Sequence, residues 1–221
     1  MLKKLLSYFV PVVIHRKKSA VSKDLEISWN NGQLVLDSTN TNYSYGSLQR
    51  ILRKGLKNIG FDKIKAMQSV LVLGVAGGSV IKTLVDEIKY GGKITGVEID
   101  PEVIQLANKY FSLDQIPNLK IVIGDAFEFV LKTHEKYDLI IIDIFQDTAM
   151  PNFLFEKFFM DRIGQLLRPK GNILFNTMTL DSKHDQRNER YLVEFNNKPY
   201  KVKAIPRVER HNELIIIEKS A

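Results

Sequence analysis

The chain has 221 residues, 44% of them hydrophobic, which is enough for one sizeable core with a small appendage. It contains no cysteine, which excludes disulfide bonds, a thiolate nucleophile and a zinc–thiolate site, and we expect a cytoplasmic setting. The net charge of +7 is uneven, because residues 1–24 and 46–65 each carry six basic side chains against one acidic side chain. Such stretches face an anionic partner, such as a nucleic acid or a membrane surface, or they form a basic surface in contact with solvent. No nucleic-acid-binding motif accompanies them, so we predict no nucleic-acid partner.

The N-terminal part predicts a short helix and a small antiparallel β-sheet. Residues 1–14 combine lysines with an apolar run, as a signal peptide does, but the run is too short to span a bilayer and contains Pro11. We therefore expect a helix followed by a strand, and we expect no membrane span elsewhere. The turn sequence at residues 30–32 separates the alternating apolar pattern of residues 25–29 from residues 33–36, which predicts a β-hairpin.

The remainder predicts an α/β fold with a doubly wound, mostly parallel, Rossmann-like sheet. An apolar stripe at helical spacing predicts a helix over residues 46–59. Strands and helices then alternate, with strands at 70–74, 93–98, 119–123, 138–143 and 171–176 and helices at 78–89, 101–111, 125–133 and 152–167. We expect two units, a small β extension over residues 1–45 and a larger domain over residues 46–221.

Three further segments complete the predicted organisation. Residues 200–205 and 213–217 form an expected antiparallel pair that closes the sheet. Residues 167–171 indicate the end of a helix and a turn before the fifth strand. The polar segment 181–189 is interpreted as a mobile cover over a site or as a disordered loop.

Chemically suitable groups follow four of the predicted strands. The glycine-containing residues 74–79 follow the first strand, and Glu98 lies 20 positions after Gly78, at the end of the second. Asp125 follows the third strand and Asp143 the fourth. Asn176 closes the fifth strand, where it either reaches the pocket or belongs to a turn, and it is not counted among the four groups. In an open α/β sheet, ligands bind outside the carboxyl ends of the strands. Glycines let the backbone approach a ligand and a carboxylate accepts hydrogen bonds from ribose hydroxyls, so these groups together predict a nucleoside site.

The glycine spacing is Gly-x-x-Gly-Gly, which argues against a dinucleotide. The acid on the second strand and the Asp-Ala pair on the third resemble class I S-adenosylmethionine-dependent transferases. That resemblance implies that Glu98 holds the ribose and that Asp125 holds the adenine amino group. It places Ile99 and Ala126 against the adenine ring. It assigns the methionine part to the glycine turn, namely Gly74, Val75, Ala76, Gly77 and Gly78.

A narrower resemblance rests on four motifs. They are Val-Leu-Val-Leu-Gly from residue 70, Val-Glu-Ile-Asp-Pro-Glu-Val from 97, Val-Ile-Gly-Asp-Ala-Phe-Glu-Phe from 122 and Lys-Tyr-Asp-Leu-Ile-Ile-Ile-Asp from 136. These motifs resemble the spermidine synthase (polyamine aminopropyltransferase) family, over roughly residues 25–217. The resemblance implies S-adenosylmethionine or decarboxylated S-adenosylmethionine as donor and a small-molecule acceptor. Homodimers are common in that family, so a homodimer is one expectation.

The chain departs from the family pattern where the chemistry lies. Gly77 stands where the family has an acid that helps to hold the donor's amino group. Tyr45, the expected substrate-side residue, is followed by Gly-Ser instead of His-Glu, so a second acid is missing. Asp143 matches the first acid after the fourth strand, the catalytic base that the resemblance implies. The second acid, Asp147, falls one position late and lacks the following proline.

These departures decide between activities. Polyamines carry two or three positive charges, so a site for them needs carboxylates. Methyl transfer needs mainly alignment of an acceptor with the sulfonium methyl group. We therefore favour a methyltransferase of unknown acceptor, with a divergent aminopropyltransferase and a non-catalytic nucleoside-binding module as alternatives. No metal site is expected, because the four histidines show no ligand spacing.

Overall fold

The computed structural model describes residues 2–38, 42–145, 149–196, 199–209 and 211–221, which form two β-sheets and their covering helices. A short helix α1 (Leu2–Leu6) precedes an antiparallel sheet of four strands in the order β1-β2-β3-β4. These strands are β1 (Val12–Ser19), β2 (Lys23–Asn30), β3 (Gln33–Ser38) and β4 (Asn42–Ser44). The predicted hairpin is confirmed, because Asn31 and Gly32 join β2 to β3 with φ angles of 48° and 75°.

The second sheet has seven strands in the order β10-β11-β9-β8-β5-β6-β7, and the predicted fold class is confirmed. Its parallel part comprises β5 (Ser69–Leu73), β6 (Lys93–Glu98), β7 (Leu119–Ile123), β8 (Tyr137–Ile142) and β9 (Leu167–Met178). The strands β10 (Tyr200–Glu209) and β11 (Asn212–Lys219) are the predicted antiparallel pair, and β11 runs antiparallel to β9.

Helices cover both faces of this sheet. They are α2 (Gly46–Ile59), α3 (Phe61–Lys65), α4 (Ser79–Lys82), α5 (Pro101–Phe111), α6 (Ala126–Lys132), α7 (Lys157–Leu166) and α8 (Ser182–Asn196). A π-helical segment, Thr83–Glu87, continues α4, and short 3₁₀ segments lie at Leu113–Gln115 and Asn152–Phe155. No helix among the described residues is long and apolar enough to cross a bilayer.

One prediction about local structure is wrong and another is confirmed. Residues 181–189 belong largely to helix α8, which begins there because the Asp181 carboxylate accepts hydrogen bonds from the backbone N–H groups of Lys183 (2.9 Å) and His184 (3.0 Å). The predicted turn at residues 167–171 lies inside the first part of β9. Leu167 pairs with Tyr137 and Asn172 with Leu139, so the register shifts between them, and Lys170 has a φ of 61° there.

The core consists of two large clusters, one on each face of the seven-stranded sheet, and a third cluster at its side. Alternate residues of β5 point into the two large clusters, as expected for a strand buried on both faces. The third cluster joins the N-terminal sheet to helix α5: Leu25, Ile27 and Leu36 pack with Val103, Leu106 and Phe111. We propose that residues 1–45 are an extension of the larger domain, and this packing places the β1–β2 turn beside the carboxyl ends of the parallel strands.

Candidate active site

A cavity of about 430 Å³ opens at the carboxyl ends of the parallel strands, a size and a place typical of ligand sites in α/β folds. Residues from the ends of β5, β6, β7, β8 and β9 all reach it. Most of the residues predicted from the sequence line this cavity, namely Gly74, Ala76, Glu98, Ile99, Asp125, Ala126, Asp143 and Asn176.

The turn after β5 is held by the carboxylate of Glu98. Its Oε2 accepts hydrogen bonds from the backbone N–H groups of Val75 (3.1 Å) and Ala76 (3.0 Å). Its Oε1 accepts one from the N–H of Asp100 at 3.1 Å. Burial raises the pKa of Glu98, and these three hydrogen bonds oppose the rise. Glu98 therefore fixes the shape of the glycine turn as well as lining the cavity.

The glycine turn itself meets the cavity at only two of its five predicted positions. Gly74 has a φ of 86°, and a Cβ there would lie 2.1 Å from the carbonyl oxygen of Asp143, so glycine is required where β5 and β8 end together. Ala76 also lines the cavity, with a positive φ of 48°. The side chain of Val75 lies in the core, where it is 3% exposed.

Gly77 and Gly78 pack against neighbouring elements and do not line the cavity. A Cβ on Gly77 would lie 2.8 Å from the Cβ of Ser44, the last residue of β4. Ser44 is buried, and its Oγ accepts a hydrogen bond from the N–H of Ser79, at the start of α4, at 3.2 Å. A Cβ on Gly78 would lie 2.5 Å from a methyl carbon of Leu113. The space beside Gly77, where the related family has its acid, is therefore filled by Ser44.

The residues that follow β6 and β7 include an exposed apolar side chain, Ile99, and an exposed acid, Asp125. Asp125 is exposed and caps α6, since its Oδ1 accepts a hydrogen bond from the N–H of Phe127 at 2.7 Å. Ile99 has 49% of its surface exposed and lines the cavity. Ala126 lines the cavity beside Asp125.

At the end of β8, Asp143 belongs to a chain of polar side chains across three strands. The amide Nδ2 of Asn176 donates a hydrogen bond to Asp143 Oδ1 at 2.9 Å, and Asn212 Nδ2 donates to Asn176 Oδ1 at 3.1 Å. Burial raises the pKa of Asp143 to about 6, the hydrogen bond from Asn176 opposes the rise, and the charge of Glu98 adds to it. Asp147, the other predicted acid, lies outside the described residues.

Tyr45 does not line the cavity. Its ring stacks on Phe111, with ring centroids 4.4 Å apart, and burial raises its pKa. Its φ of 71°, a rare value for a bulky residue, turns the chain into α2. Ser47, two positions later, reaches the cavity instead.

Sequence analysis missed the residues that complete the walls. Val21 and Ser22 come from the β1–β2 turn, which is tied to the site by a hydrogen bond of 2.5 Å from Ser19 Oγ to Asp100 Oδ2. No local pattern marks these residues, because their contacts arise from the packing of one sheet beside another. Further wall residues are apolar and come from α2, from the segment after β8 and from the last residue of β9, namely Leu48, Ile51, Phe145, Pro151, Phe153 and Met178.

The strand order and the cavity together define a Rossmann-like fold of the methyltransferase type. Residues 50–208 match the family model of the spermine/spermidine synthase domain. The chain therefore belongs to the spermine/spermidine synthase domain family.

The relatives that this chain matches have names that indicate two kinds of activity. The chain is 31% identical over 127 residues to a polyamine aminopropyltransferase of Vibrio vulnificus, a match that covers 56% of this chain and 42% of the relative. It is 29% identical over 124 residues to a Drosophila melanogaster eEF1A lysine and N-terminal methyltransferase homolog, covering 52% of this chain and 18% of the relative. The chain thus matches less than half the length of these relatives.

Solved structures with a similar fold come from both groups. Spermidine synthase in complex with the transition state analogue AdoDATO aligns with a TM-score of 0.71 at 20% identity, over 95% of this chain and 74% of that chain. Human methyltransferase-like protein 13 in complex with SAH aligns with a TM-score of 0.64 at 20% identity, over 80% of this chain and 83% of that chain. At 20% identity, these alignments show that the fold is similar and nothing further.

Proposed function

We propose that this protein is an S-adenosylmethionine-dependent methyltransferase that acts on a small-molecule acceptor. The observation that carries this proposal is the position of Ser44 against Gly77. Decarboxylated S-adenosylmethionine ends in an ammonium group, which needs a carboxylate partner, whereas the amino-acid end of S-adenosylmethionine carries its own carboxylate. The family resemblance implies that an acid at the position of Gly77 contacts this end of the donor, where it would repel that carboxylate. Here the space for such an acid is filled by a neutral serine.

The residues on the β6–β7 side suit the nucleoside part of this donor. Glu98 lines the cavity as a hydrogen-bond acceptor for the ribose hydroxyls. Asp125 is placed to accept from the adenine amino group, and Ile99 offers an exposed apolar surface to the ring. When bound, S-adenosylmethionine supplies a methyl group activated by the positive charge of its sulfur.

Asp143 is the proposed base for an acceptor that must lose a proton. Its pKa of about 6 leaves it ionised at neutral pH, and the hydrogen bond from Asn176 fixes the orientation of its carboxylate. Asp147 remains a proposed second acid of the site, on the family resemblance alone.

The alternative is a divergent aminopropyltransferase. It is supported by the family, by relatives named polyamine aminopropyltransferase, and by Asp143 at the position where the family has an acid. A nucleoside-binding protein without turnover is the third candidate, because every group proposed to hold the nucleoside is also needed for binding alone.

Calorimetry with S-adenosylmethionine and with its decarboxylated form separates these candidates. We expect S-adenosylmethionine to bind at least about tenfold more tightly. Tighter binding of the decarboxylated donor, together with turnover of putrescine, would reject the methyltransferase. Binding of S-adenosylmethionine without methyl transfer to any member of a broad acceptor panel would favour the third candidate.

Two double variants test whether charge beside Gly77 selects the donor. The double variant Gly77→Asp with Ser44→Gly creates an acid and the space for it, and it should shift preference toward the decarboxylated donor. The double variant Gly77→Asn with Ser44→Gly is the matched control, because it has the same shape without the charge. An identical donor preference in the two variants would show that charge at this position does not select the donor.

A further inference from the structure

The cavity has two halves, because the seven-stranded sheet continues on both sides of β5. On one side, the ends of β6 and β7 carry the groups proposed to hold the nucleoside, and we call this the donor half. On the other side, the ends of β8 and β9 and the start of β11 contribute Asp143, Asn176 and Asn212 to the floor. We call this side, with the residues that close over it, the acceptor half. Because the donor half is assigned to the nucleoside, we assign the methyl acceptor to this side of the cavity.

The wall of the acceptor half is apolar. Phe153 is held rigidly, since its ring packs edge to face on Phe159 (4.9 Å between centroids) and Phe127 (5.2 Å). Among the described residues that line this half, Asp143 is the one carboxylate, and none is a lysine or an arginine. The apolar side chains of this wall are Leu48, Ile51, Phe145, Pro151, Phe153 and Met178.

Resting on the proposed methyltransferase function, we infer that the acceptor is a small, mainly apolar molecule with one uncharged nitrogen or hydroxyl group, and that this group lies against Asp143. A diamine or triamine would bring several ammonium groups against apolar side chains, where each loses hydration. An apolar body instead gains from contact with this wall.

The atoms and charges of the methyl-transfer step also balance with the residues that line the cavity. A lone pair of the acceptor's nitrogen or oxygen forms a bond to the methyl carbon, and the carbon–sulfur bond breaks with its electrons remaining on sulfur. The proton released by the acceptor passes to the ionised carboxylate of Asp143. The positive charge of the sulfur is thereby neutralised, and no other reactant is required.

Binding measured in two stages tests this inference and separates it from the proposed function. The first titration uses S-adenosylmethionine alone, and its failure to bind would overturn the proposed function and the inference with it. The second uses protein saturated with S-adenosylhomocysteine, which cannot react, and titrates phenol, aniline and indole against putrescine. We expect at least one neutral aromatic probe to bind about tenfold more tightly than putrescine or better. Putrescine binding as tightly as the aromatic probes, or no detectable binding of any neutral probe, would overturn the inference.

Variants locate the effect in the acceptor half. Phe153→Ala should lower the affinity for the aromatic probes at least about fivefold. Phe158→Ala, at a half-exposed phenylalanine outside the cavity, should leave that affinity unchanged. Ser47→Glu adds an acid to the wall, and it should raise the affinity for putrescine at least about tenfold relative to Ser47→Gln. This second pair keeps the inference testable if Phe153→Ala fails to fold. Equal binding of putrescine to the Ser47→Glu and Ser47→Gln proteins would count against it.

Discussion

Glu98 and Asp143 are both carboxylates in the cavity wall, but the groups that hold them differ. Glu98 accepts hydrogen bonds from three backbone N–H groups, which belong to the glycine turn and to the start of α5. Asp143 is held by the side chain of Asn176. Substitution of Glu98 therefore changes the backbone around the site, whereas substitution of Asp143 changes its chemistry.

Glu98→Gln should lower both stability and donor affinity. Glutamine keeps one acceptor oxygen but turns an NH₂ group toward at least one backbone donor, so a buried N–H group loses its partner at a cost of about 1–3 kcal/mol. Urea unfolding and calorimetry with S-adenosylmethionine measure the two losses. Glu128→Gln, at an exposed residue of α6, is the control and should be nearly neutral. Unchanged stability and affinity in Glu98→Gln would remove Glu98 from the site.

Asp143 should give the protein a distinct dependence on pH. Because burial raises the pKa of Asp143 from 3.8 to about 6, the folded chain holds this proton more tightly than the unfolded chain does. Its contribution to the free energy of unfolding therefore falls as pH rises from about 4 to about 6. Methyl transfer to an acceptor that must lose a proton should rise as the pH increases through about 6, where Asp143 ionises in the folded protein.

Asp143→Asn separates this residue from other titrating groups. The variant should lose the limb of the pH–rate profile near pH 6, and its stability between pH 4 and 6 should change less with pH than that of the unmodified protein. A limb that persists in Asp143→Asn would assign the proton to another group.

A site residue could be predicted from the sequence where its position at the end of a strand determines its place in the fold. Glu98, Asp125 and Asp143 were found because residues that follow parallel strands meet at one edge of a sheet. Val75 and Tyr45 were placed at the site by motif alone, and the structure directs Val75 to the core and Tyr45 to Phe111. The direction of a side chain in a turn depends on its φ and ψ angles, which no local pattern specified here.

Among the elements, α2 shows how a helix is fitted to the sheet. A Cβ on Gly55 would lie 2.4 Å from a methyl carbon of Leu174 in β9, so the helix lies close to the sheet at this point. Gly55 is buried, as are Ile51, Leu52 and Leu56 on the same face. Glycine weakens a helix by itself, so its presence here reflects the space between α2 and β9.

Gly55→Ala should therefore destabilise the protein, although alanine favours a helix. We expect a loss of about 1–3 kcal/mol from overpacking against Leu174, measured by urea unfolding. Gly91→Ala is the matched control, because a Cβ there meets nothing within 4 Å, and its effect should be within about 0.5 kcal/mol. Stabilisation by Gly55→Ala would mean that α2 can move away from the sheet without cost.

Helix α8 was missed because its residues are mostly polar and form only a weak apolar stripe. The capping role of Asp181 is visible only when its carboxylate is seen beside the following N–H groups. The first residues of β9 contain Pro169 and Gly171, which normally indicate a turn. The register of β9 against β8 shifts at these residues, so here the local signal was correct.

At the scale of the whole molecule, the N-terminal sheet and the larger domain share a core. Leu25, Ile27 and Leu36 are fully buried against α5, and Ser44 bonds to the first residue of α4. Apolar alternation predicted that these strands bury one face, but it carries no information about which surface they cover. The contribution of the β1–β2 turn to the cavity was therefore beyond sequence analysis.

This shared core predicts that the two parts unfold together. The single tryptophan, Trp29, lies in β2, so its fluorescence reports on the N-terminal sheet, whereas far-ultraviolet circular dichroism reports on the whole chain. We expect the two signals to give the same urea midpoint. A lower midpoint by fluorescence would show that the N-terminal sheet unfolds independently.

The place of Val21 and Ser22 in the cavity wall has a practical consequence for anyone who shortens this protein. The family match begins at residue 50, so its boundary suggests trimming the chain to start near α2. Such a shortened chain would keep every recognised motif, but it would open one side of the pocket and strip the cover from helix α5. Poor solubility or absent activity in that fragment would then reflect a missing wall and an uncovered apolar helix face, and it would say nothing about the intact protein.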